Sequence, residues 1–345
     1  MLHTMRSEGA RLMTICNACR YCEGYCAVFP AMEKRLEFPD ADLRYLANLC
    51  HNCGECLDAC QYAPPHEFAV NVPLVLAQIR AQSYRHYAWP GCMARAFERN
   101  GLMVSLLLCA GLTGALPAGG QAFSHRAMVI TFGLAGLFVL VVWGVGFYRF
   151  WKEGSGTVPD PGALRNALID IFTLTNLRDG KSDARRWFHH LTFYGFLFCF
   201  AATCVAAFYD NVLGWRAPYP YLSLPVVLGT VGGIGLLAGP AGLLVLKRRR
   251  DPAVTDPDQN GMDRAFVVLL LLASATGLLL MVLRGTPWAG RLLSIHLAVI
   301  LVFFVTLPYG KFVHGIYRSA ALLRYSVERR FEKVNRTDRV AASRR

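Results

Sequence analysis

The stretch CNACRYCEGYCAVFP (residues 16–30) decides how the first part of this chain folds. It holds four cysteines at intervals of three, three and four residues: Cys16, Cys19, Cys22 and Cys26. A second stretch, CHNCGECLDACQYAPP (residues 50–65), repeats those intervals with Cys50, Cys53, Cys56 and Cys60. Disulfide frameworks do not favour such runs, because cysteines three residues apart compete for partners. The repeat indicates two similar metal-binding loops in one small domain.

The spacing is typical of iron–sulfur clusters. Thiolates at i, i+3 and i+6 can wrap one corner of a [4Fe–4S] cubane, and in two-cluster ferredoxins the fourth cysteine of each run binds the other cluster. We therefore predict one cluster on Cys16, Cys19, Cys22 and Cys60. A second cluster is predicted on Cys50, Cys53, Cys56 and Cys26. Structural zinc on paired C-x-x-C knuckles is the alternative, but it leaves the third cysteine of each run without a role.

Both runs depart from the usual ferredoxin pattern in one respect. A ferredoxin run ordinarily ends in Cys-Pro, whereas here the proline follows four positions later, at Pro30 and Pro64. The change affects the local turn and removes no ligand. The remaining cysteines are scattered, and we interpret them as small buried hydrophobic residues: Cys92, Cys109, Cys199 and Cys204.

The rest of the chain has the composition of a membrane protein. Of 345 residues, 54% are hydrophobic and only 17% are charged, and the formal net charge is +13. The basic residues lie in loops between apolar segments, where membrane topology and lipid charge account for them, so a nucleic-acid-binding role is disfavoured. The polar, cysteine-rich N-terminus is unlike a secretory signal.

The sequence predicts a mainly α protein of three parts. Residues 1–90 form a ferredoxin-like domain with an amphipathic helix, NVPLVLAQIRAQSYRHYAW, before Pro90-Gly91. Residues 101–318 form a six-helix transmembrane bundle, since six apolar segments are each about long enough to cross a hydrocarbon core of about 30 Å. A basic tail, 319–345, follows. The six segments are 102–118, 127–148, 188–209, 224–246, 265–283 and 292–313.

Loop charge predicts the orientation of the bundle. The 149–187 and 247–264 loops and the residues after 313 are rich in basic side chains, whereas the opposite loops hold only four. The positive-inside rule therefore places both termini and the cysteine-rich domain on the cytoplasmic side of the membrane. The basic residues of the first loop are Arg149, Lys152, Arg165, Arg178, Lys181, Arg185 and Arg186.

Two histidines of the sixth segment are spaced for haem binding. His296 and His314 are 18 residues apart, which in an unbroken helix is five whole turns and about 27 Å, so both would project from one face. Helix three runs antiparallel to helix six, so His189 or His190 faces His314 on the cytoplasmic side. His125 faces His296 on the far side. We predict a haem b at the inner pair and a second at the outer pair, although a histidine at a helix end also suits the headgroup region.

The other histidines lie in the cysteine-rich domain, where we interpret them as surface or packing residues: His3, His51, His66 and His86. His51 adjoins Cys50 and could tune that cluster through contacts to its ligands. His189 and His190 have similar apolar neighbours, so helical geometry alone does not separate them.

Four stretches carry a family likeness: CNACRYCEGYCAVFPAME, the second cysteine run, WFHHLTFYGF and HLAVILVFFVTLPYGKFVHGIYR. They resemble the TcuB/CitB family, the tricarballylate utilisation protein B proteins, over nearly the whole chain. The histidine pair eighteen residues apart is similar to that of the gamma subunit of respiratory nitrate reductases, although helix three lacks that family's second, deeper histidine. The pattern formed by Arg186, His189, Gly195 and Phe196 resembles membrane cytochromes attached to heterodisulfide-reductase-like proteins and favours His189.

The resemblance implies an accessory electron-transfer protein. It would reoxidise the FADH2 of a TcuA-like flavoprotein, which converts tricarballylate to cis-aconitate, and pass the electrons through two [4Fe–4S] clusters and haem b to the quinone pool. The chain has no Gly-rich dinucleotide fingerprint and no acid–base constellation, so the organic oxidation falls to the partner. Alternatives are a quinol dehydrogenase that feeds a cytoplasmic reductase and a membrane redox sensor. A transporter is disfavoured, because no charged residue lies in the middle of a span.

Overall fold

The computed structural model describes residues 2–115, 124–154, 158–177 and 183–343, and their side chains except those of 2–5, 96, 98–100, 115 and 332–343. In these ranges the fold is mainly helical, with thirteen α-helices and no strand, as the sequence predicts. Several sequence predictions lie outside them: the end of the first apolar segment (116–118), the loop residues Arg178 and Lys181, and the side chain of His3.

The cysteine-rich head consists of five helices around one core. They are α1 (Leu2–Cys19), α2 (Val28–Met32), α3 (Asp40–Leu49), α4 (Glu55–Asp58) and α5 (Val72–Tyr87). Leu12, Leu46 and Leu76, from α1, α3 and α5, are fully buried in this core. The predicted amphipathic helix is confirmed as α5, and it starts where the Asn71 side chain accepts a hydrogen bond of 3.1 Å from the Leu74 N–H. The cysteines lie at the helix ends and in the loops between them.

The apolar part of the chain follows directly. Its helices are α6 (Gly91–Ala115), α7 (His125–Glu153), α8 (Pro161–Thr173), α9 (Ala184–Asn211), α10 (Leu224–Arg248), α11 (Asn260–Val282) and α12 (Ala289–Thr306). Five of them, namely α7, α9, α10, α11 and α12, are long and apolar enough to cross a membrane. In α6 the apolar stretch is shorter, Gly101–Gly114. These helices fit a multi-pass membrane protein, and the predicted count of six spans depends on α6.

The α9 and α10 helices pack with their backbones in contact. A Cβ added at Gly195 would lie 2.9 Å from the Gly232 carbonyl oxygen, and one added at Gly232 would lie 2.8 Å from the Cys199 amide nitrogen. Further along, a Cβ at Gly239 would lie 2.6 Å from the Thr192 amide nitrogen. Small residues allow this approach in a membrane, where packing and not hydrophobic burial holds helices together.

The sixth predicted segment is not one helix. The α12 helix ends at Thr306, and a new helix, α13 (Val313–Ser343), begins after six residues of turn. Pro308 has no N–H to continue the hydrogen-bond ladder, and the N–H of Gly310 returns 2.8 Å to the Thr306 carbonyl. The prediction that His296 and His314 project from one face of a single helix is therefore wrong.

Residues 319–343, the described part of the tail expected at 319–345, belong to α13, which packs on the head. Tyr317, Ala320, Ala321 and Tyr325 are buried in the same core as the head helices. These positions recur at the spacing of one helix face. The boundary drawn at residue 318 from the sequence thus falls inside a helix that completes the head.

A network of charged side chains fastens α13 to the head. Glu328 accepts a hydrogen bond of 2.6 Å from Arg35, and Asp42 accepts one of 2.7 Å from Arg324. The Tyr45 ring lies between the two guanidiniums, 4.8 Å from that of Arg35 and 4.1 Å from that of Arg324. All four charged side chains are 18% exposed or less. We refer to these five residues as the clamp.

A second join connects the head to α7. Glu153, the last residue of α7, accepts short hydrogen bonds from Arg44 of α3 and Tyr87 of α5. The head therefore contacts the membrane helices at the end of α7 as well as along α13.

Candidate functional site

The first cavity of the head is lined by the first three cysteines of the first run and the last cysteine of the second run. These are Cys16, Cys19, Cys22 and Cys60, the four that the sequence predicts for one cluster, and Cys56 of the second run also borders the cavity. Ile15, Phe29 and Val70 form apolar walls. Cys19 is exposed, so this cavity is open to solvent at one side.

The second cavity is lined by the complementary set, Cys26, Cys50, Cys53 and Cys56. The loop between α3 and α4 shapes it: Asn52 and Gly54 have positive φ angles of 56° and 97°, which turn the chain around the cavity. The Asn52 N–H donates to the Cys50 sulfur at 3.3 Å. Phe29, Cys56 and Val72 border both cavities, so the two lie side by side.

In both cavities the pKa of several thiols is raised, which favours the protonated thiol when no metal is bound. Burial, and then the neighbouring thiols, raise the pKa of Cys16 and Cys26 to about 12 and that of Cys22 to about 11. A bound cation reverses this preference, because the thiolate is the form that ligates. Among the described residues, no group of three or more His, Cys, Asp or Glu side chains converges on a site for a metal ion. The eight cysteines instead line two neighbouring cavities.

Basic side chains surround the backbone of the second cavity. Arg80 of α5 donates to the Cys50 carbonyl at 2.7 Å, and Arg318 of α13 donates to the same carbonyl at 3.3 Å. Arg185 at the start of α9 donates to the His51 carbonyl at 2.7 Å. The His51 imidazole forms a short contact with Arg318 through Nε2. Elements from the head, the membrane part and the last helix thus meet at residues 50–52.

His189 and His314 face each other next to this meeting point. Their ring centres are 6.1 Å apart and their planes are inclined by 62°. Two metal–nitrogen bonds of about 2.0 Å each place the centres of opposed imidazoles roughly 6 Å apart, so the pair fits a bis-histidine haem iron. The His314 Nδ1 lies 2.5 Å from the Lys311 carbonyl, which assigns the proton to Nδ1 and leaves Nε2 free to ligate. The buried His189 Nδ1 has no hydrogen-bond partner among the described residues.

The other predicted haem ligands have different neighbours. His190 stacks on Tyr194, with ring centres 5.8 Å apart, and lies beside Trp187. It therefore does not face His314, and of the two alternatives left by the sequence the structure favours His189.

The predicted outer pair is not brought together. His125 Nδ1 lies 3.1 Å from an Asp210 carboxylate oxygen at the end of α9, and His296 Nδ1 lies 2.9 Å from the Thr276 hydroxyl of α11. No ring contact joins His125 and His296 among the described residues. The expectation of a second haem on these two residues loses its geometric basis, since it relied on an unbroken sixth helix.

Comparison with known proteins identifies the family. A model of the citrate utilization protein B family matches residues 101–335, and a model of the Fer4-like domain of citrate utilization protein B matches residues 9–86. The Escherichia coli citrate utilization protein B is 49% identical over 351 residues, covering 94% of this chain and 93% of that protein. The chain belongs to the citrate utilization protein B family. No solved structure matches it.

Membership of the citrate utilization protein B family confirms the resemblance seen in the sequence. The Fer4-like match covers both cysteine runs and supports iron–sulfur binding and electron transfer. The second match continues to residue 335 and includes most of α13. The matched region therefore extends through His314 and Arg318 and the clamp residues of the last helix.

The sequence analysis missed the basic residues of the site. Arg80 is only 9% exposed and lies one residue after Ile79 and four after Leu76, on the buried face of α5. An arginine on the apolar face of a predicted helix is a signal that could have been noticed. Arg318 follows His314 by one turn, but the link to Cys50 requires knowledge that the last helix returns to the head.

Proposed function

We propose that this protein carries electrons between a reduced flavoprotein and the membrane quinone pool. In this proposal a FAD-dependent dehydrogenase, such as one that oxidises tricarballylate, docks on the head, and quinone accepts electrons at the membrane part. When bound, two [4Fe–4S] clusters and one haem b supply a series of one-electron redox centres. The protein's own residues hold these groups in order and keep them close together.

The observation that carries the proposal is the shared boundary between the second cavity and the His189–His314 pair. Cys16, Cys19, Cys22 and Cys60 would hold the outer cluster. Cys26, Cys50, Cys53 and Cys56 would hold the inner one. The α13 helix carries His314 and, one turn later, Arg318, which bonds the Cys50 carbonyl. Redox groups at these sites would lie in a row from the exposed side of the head to the membrane helices.

The same contacts support the proposed orientation. The head touches the loop between α10 and α11, where the Val254 carbonyl accepts a hydrogen bond of 3.0 Å from Asn52 and the Ala253 carbonyl accepts one of 2.9 Å from Asn71. Loop charge assigns this loop to the cytoplasm. We therefore place the head on the cytoplasmic face of a bacterial inner membrane.

The test uses the full protein purified in detergent. Iron and haem analysis, with optical and EPR spectra, should show two [4Fe–4S] clusters and a low-spin haem b. A chemically reduced flavoprotein partner should then reduce a soluble quinone analogue only when this protein is present. His314→Ala should abolish quinone reduction while the cluster signals remain. A protein with two clusters and no haem would refute the membrane half of the proposal, and electron flow only from quinol would favour the reverse direction.

A further inference from the structure

The two cysteine cavities differ in the basic side chains that bond their backbone. Behind the second cavity, Arg80 and Arg318 both donate to the Cys50 carbonyl, at 2.7 and 3.3 Å. Arg318 also donates to the Leu49 carbonyl at 3.1 Å. The arginines are not part of the lining itself, whose charged or titratable side chains other than cysteine and tyrosine are His51 and Glu55, and the lining of the first cavity has no basic side chain. Arg11 and Arg20, its nearest basic neighbours in the sequence, are exposed to solvent.

A third arginine, Arg250, follows α10 in the loop that contacts Asn52. Its Nη2 is buried and has no hydrogen-bond partner in the part of the chain that the structure describes. Among the described residues, Arg80, Arg250 and Arg318 form no ion pair with a carboxylate. One buried and two partly buried positive charges therefore lie behind the second cavity, and Glu55 in its lining forms an ion pair with none of them among the described residues.

Arg80 and Arg318 share one acceptor, the Cys50 carbonyl, so their two guanidiniums lie close together. Such an arrangement is costly unless a negative charge occupies the cavity. Four thiolates around a [4Fe–4S] core supply that charge, so the arginines fit a bound cluster.

A positive charge near a redox centre stabilises its reduced form, and it does so more strongly in a buried, weakly polarisable surrounding than in water. The exposed first cavity lacks this stabilisation. We propose that Arg80, Arg250 and Arg318 hold the reduction potential of the cluster in the second cavity above that of the cluster in the first. This rests on the proposed function and deepens it: the charge pattern directs electrons from the head's exposed side toward the membrane histidines. The exchange moves one electron between the two clusters and needs no further reactant.

The test is an EPR-monitored redox titration of the full purified protein. Cys19→Ser and Cys53→Ser assign the two cluster signals to the first and second cavity. In the unaltered protein the second-cavity signal should have the higher midpoint potential. Arg250→Gln removes a charge without removing a hydrogen bond. It should change the equilibrium constant for electron exchange between the two clusters about tenfold in favour of the first, which corresponds to a fall of about 59 mV in the midpoint potential of the second. Arg20→Gln, beside the first cavity, is the matched exposed control and should shift neither signal.

Arg80→Gln and Arg80→Lys form a second pair of variants. They test the effect of charge at Arg80, which also donates a hydrogen bond to the Cys50 carbonyl. The lysine variant keeps the charge and should keep the potential, whereas the glutamine variant should lower it. A first-cavity cluster of equal or higher potential, or an Arg250→Gln shift that affects both signals alike, would overturn the inference. Neither result depends on whether a flavoprotein or quinone is the partner. A failure of this inference can therefore be distinguished from a failure of the proposed function.

Discussion

His314 and Arg318 lie one turn apart on α13, yet they contact different sites: His314 faces His189, and Arg318 bonds the Cys50 carbonyl. One rigid helix thus sets the separation between the membrane histidines and the second cysteine cavity. Side chains i and i+4 on a helix are neighbours, so the two sites are coupled through a few ångströms of a single element and not through a flexible linker.

The haem ligands can be separated by mutation. His189→Ala and His314→Ala should each remove the low-spin haem b spectrum, because each takes away one of the two opposed imidazoles. His190→Ala is the matched control: its ring stacks on Tyr194, and its loss should leave the spectrum intact. Pyridine haemochrome analysis of purified variants measures the haem content. Loss of haem in the His190 variant alone would reverse the assignment.

The cysteine exchange between the two runs is equally testable. Cys26→Ser should damage the cluster whose other ligands come from the second run, and Cys60→Ser the cluster of the first run. Each variant should retain about half of the iron, since one of two clusters remains. Cys92→Ser is the control, because Cys92 lies on α6 outside both cavities and is exposed, so its interpretation as a buried residue is wrong. Iron analysis with EPR checks this, and a Cys26 variant that loses the signal of Cys16, Cys19 and Cys22 would contradict the pairing.

The clamp should contribute strongly to the stability of the head. Glu328→Ala leaves Arg35 and Arg324 with an unbalanced buried charge, which costs about 3 kcal/mol or more. The exposed Glu8, paired with Arg11 at 2.6 Å, provides the comparison: Glu8→Ala should cost less than about 1 kcal/mol. Thermal loss of the visible cluster absorbance reports head unfolding. Equal melting temperatures for the two variants would show that α13 does not anchor the head.

The close approach of α9 and α10 predicts a strict size limit. Gly232→Ala forces a methyl group to within 2.8 Å of the Cys199 amide nitrogen, and overpacking of this kind costs about 1–3 kcal/mol. Gly229→Ala should be tolerated, because its added Cβ lies 3.7 Å from that of Ala202, an ordinary contact. Size-exclusion chromatography after heating in detergent compares the folded fractions. A Gly232 variant as stable as the Gly229 variant would mean that the two helices separate easily.

Much of this molecule could be predicted from local sequence. The two cysteine runs fix which thiols meet because their spacing matches the geometry of a cubane cluster, and the structure gathers those same eight side chains around two cavities. The apolar segments predict the membrane helices because backbone N–H and C=O groups in lipid have no water to bond and must pair within the helix. The helix ends predict that His189 or His190 faces His314, and the residue that does so is His189, which the family resemblance favours.

The errors came from the last helix. A proline in an apolar run of helical length is compatible with a kink as well as with a stop, so Pro308 did not by itself show that α12 ends at Thr306. The basic character of residues 319–345 concealed the buried stripe that includes Ala320 and Tyr325. The arginine cluster depends on contacts between residues more than 100 positions apart, such as Arg318 with Cys50, and no local pattern reports these.

The return of α13 to the head has a consequence for biosynthesis. The clamp joins Arg35 to Glu328, a separation of 293 residues, so the ribosome must make every membrane span before the head can close. Domains usually fold as they emerge, the N-terminal one first. This head cannot complete its core until α13 has been synthesised. The core that α13 completes therefore stays open until the last helix has been made, and insertion of the membrane helices precedes closure of the head.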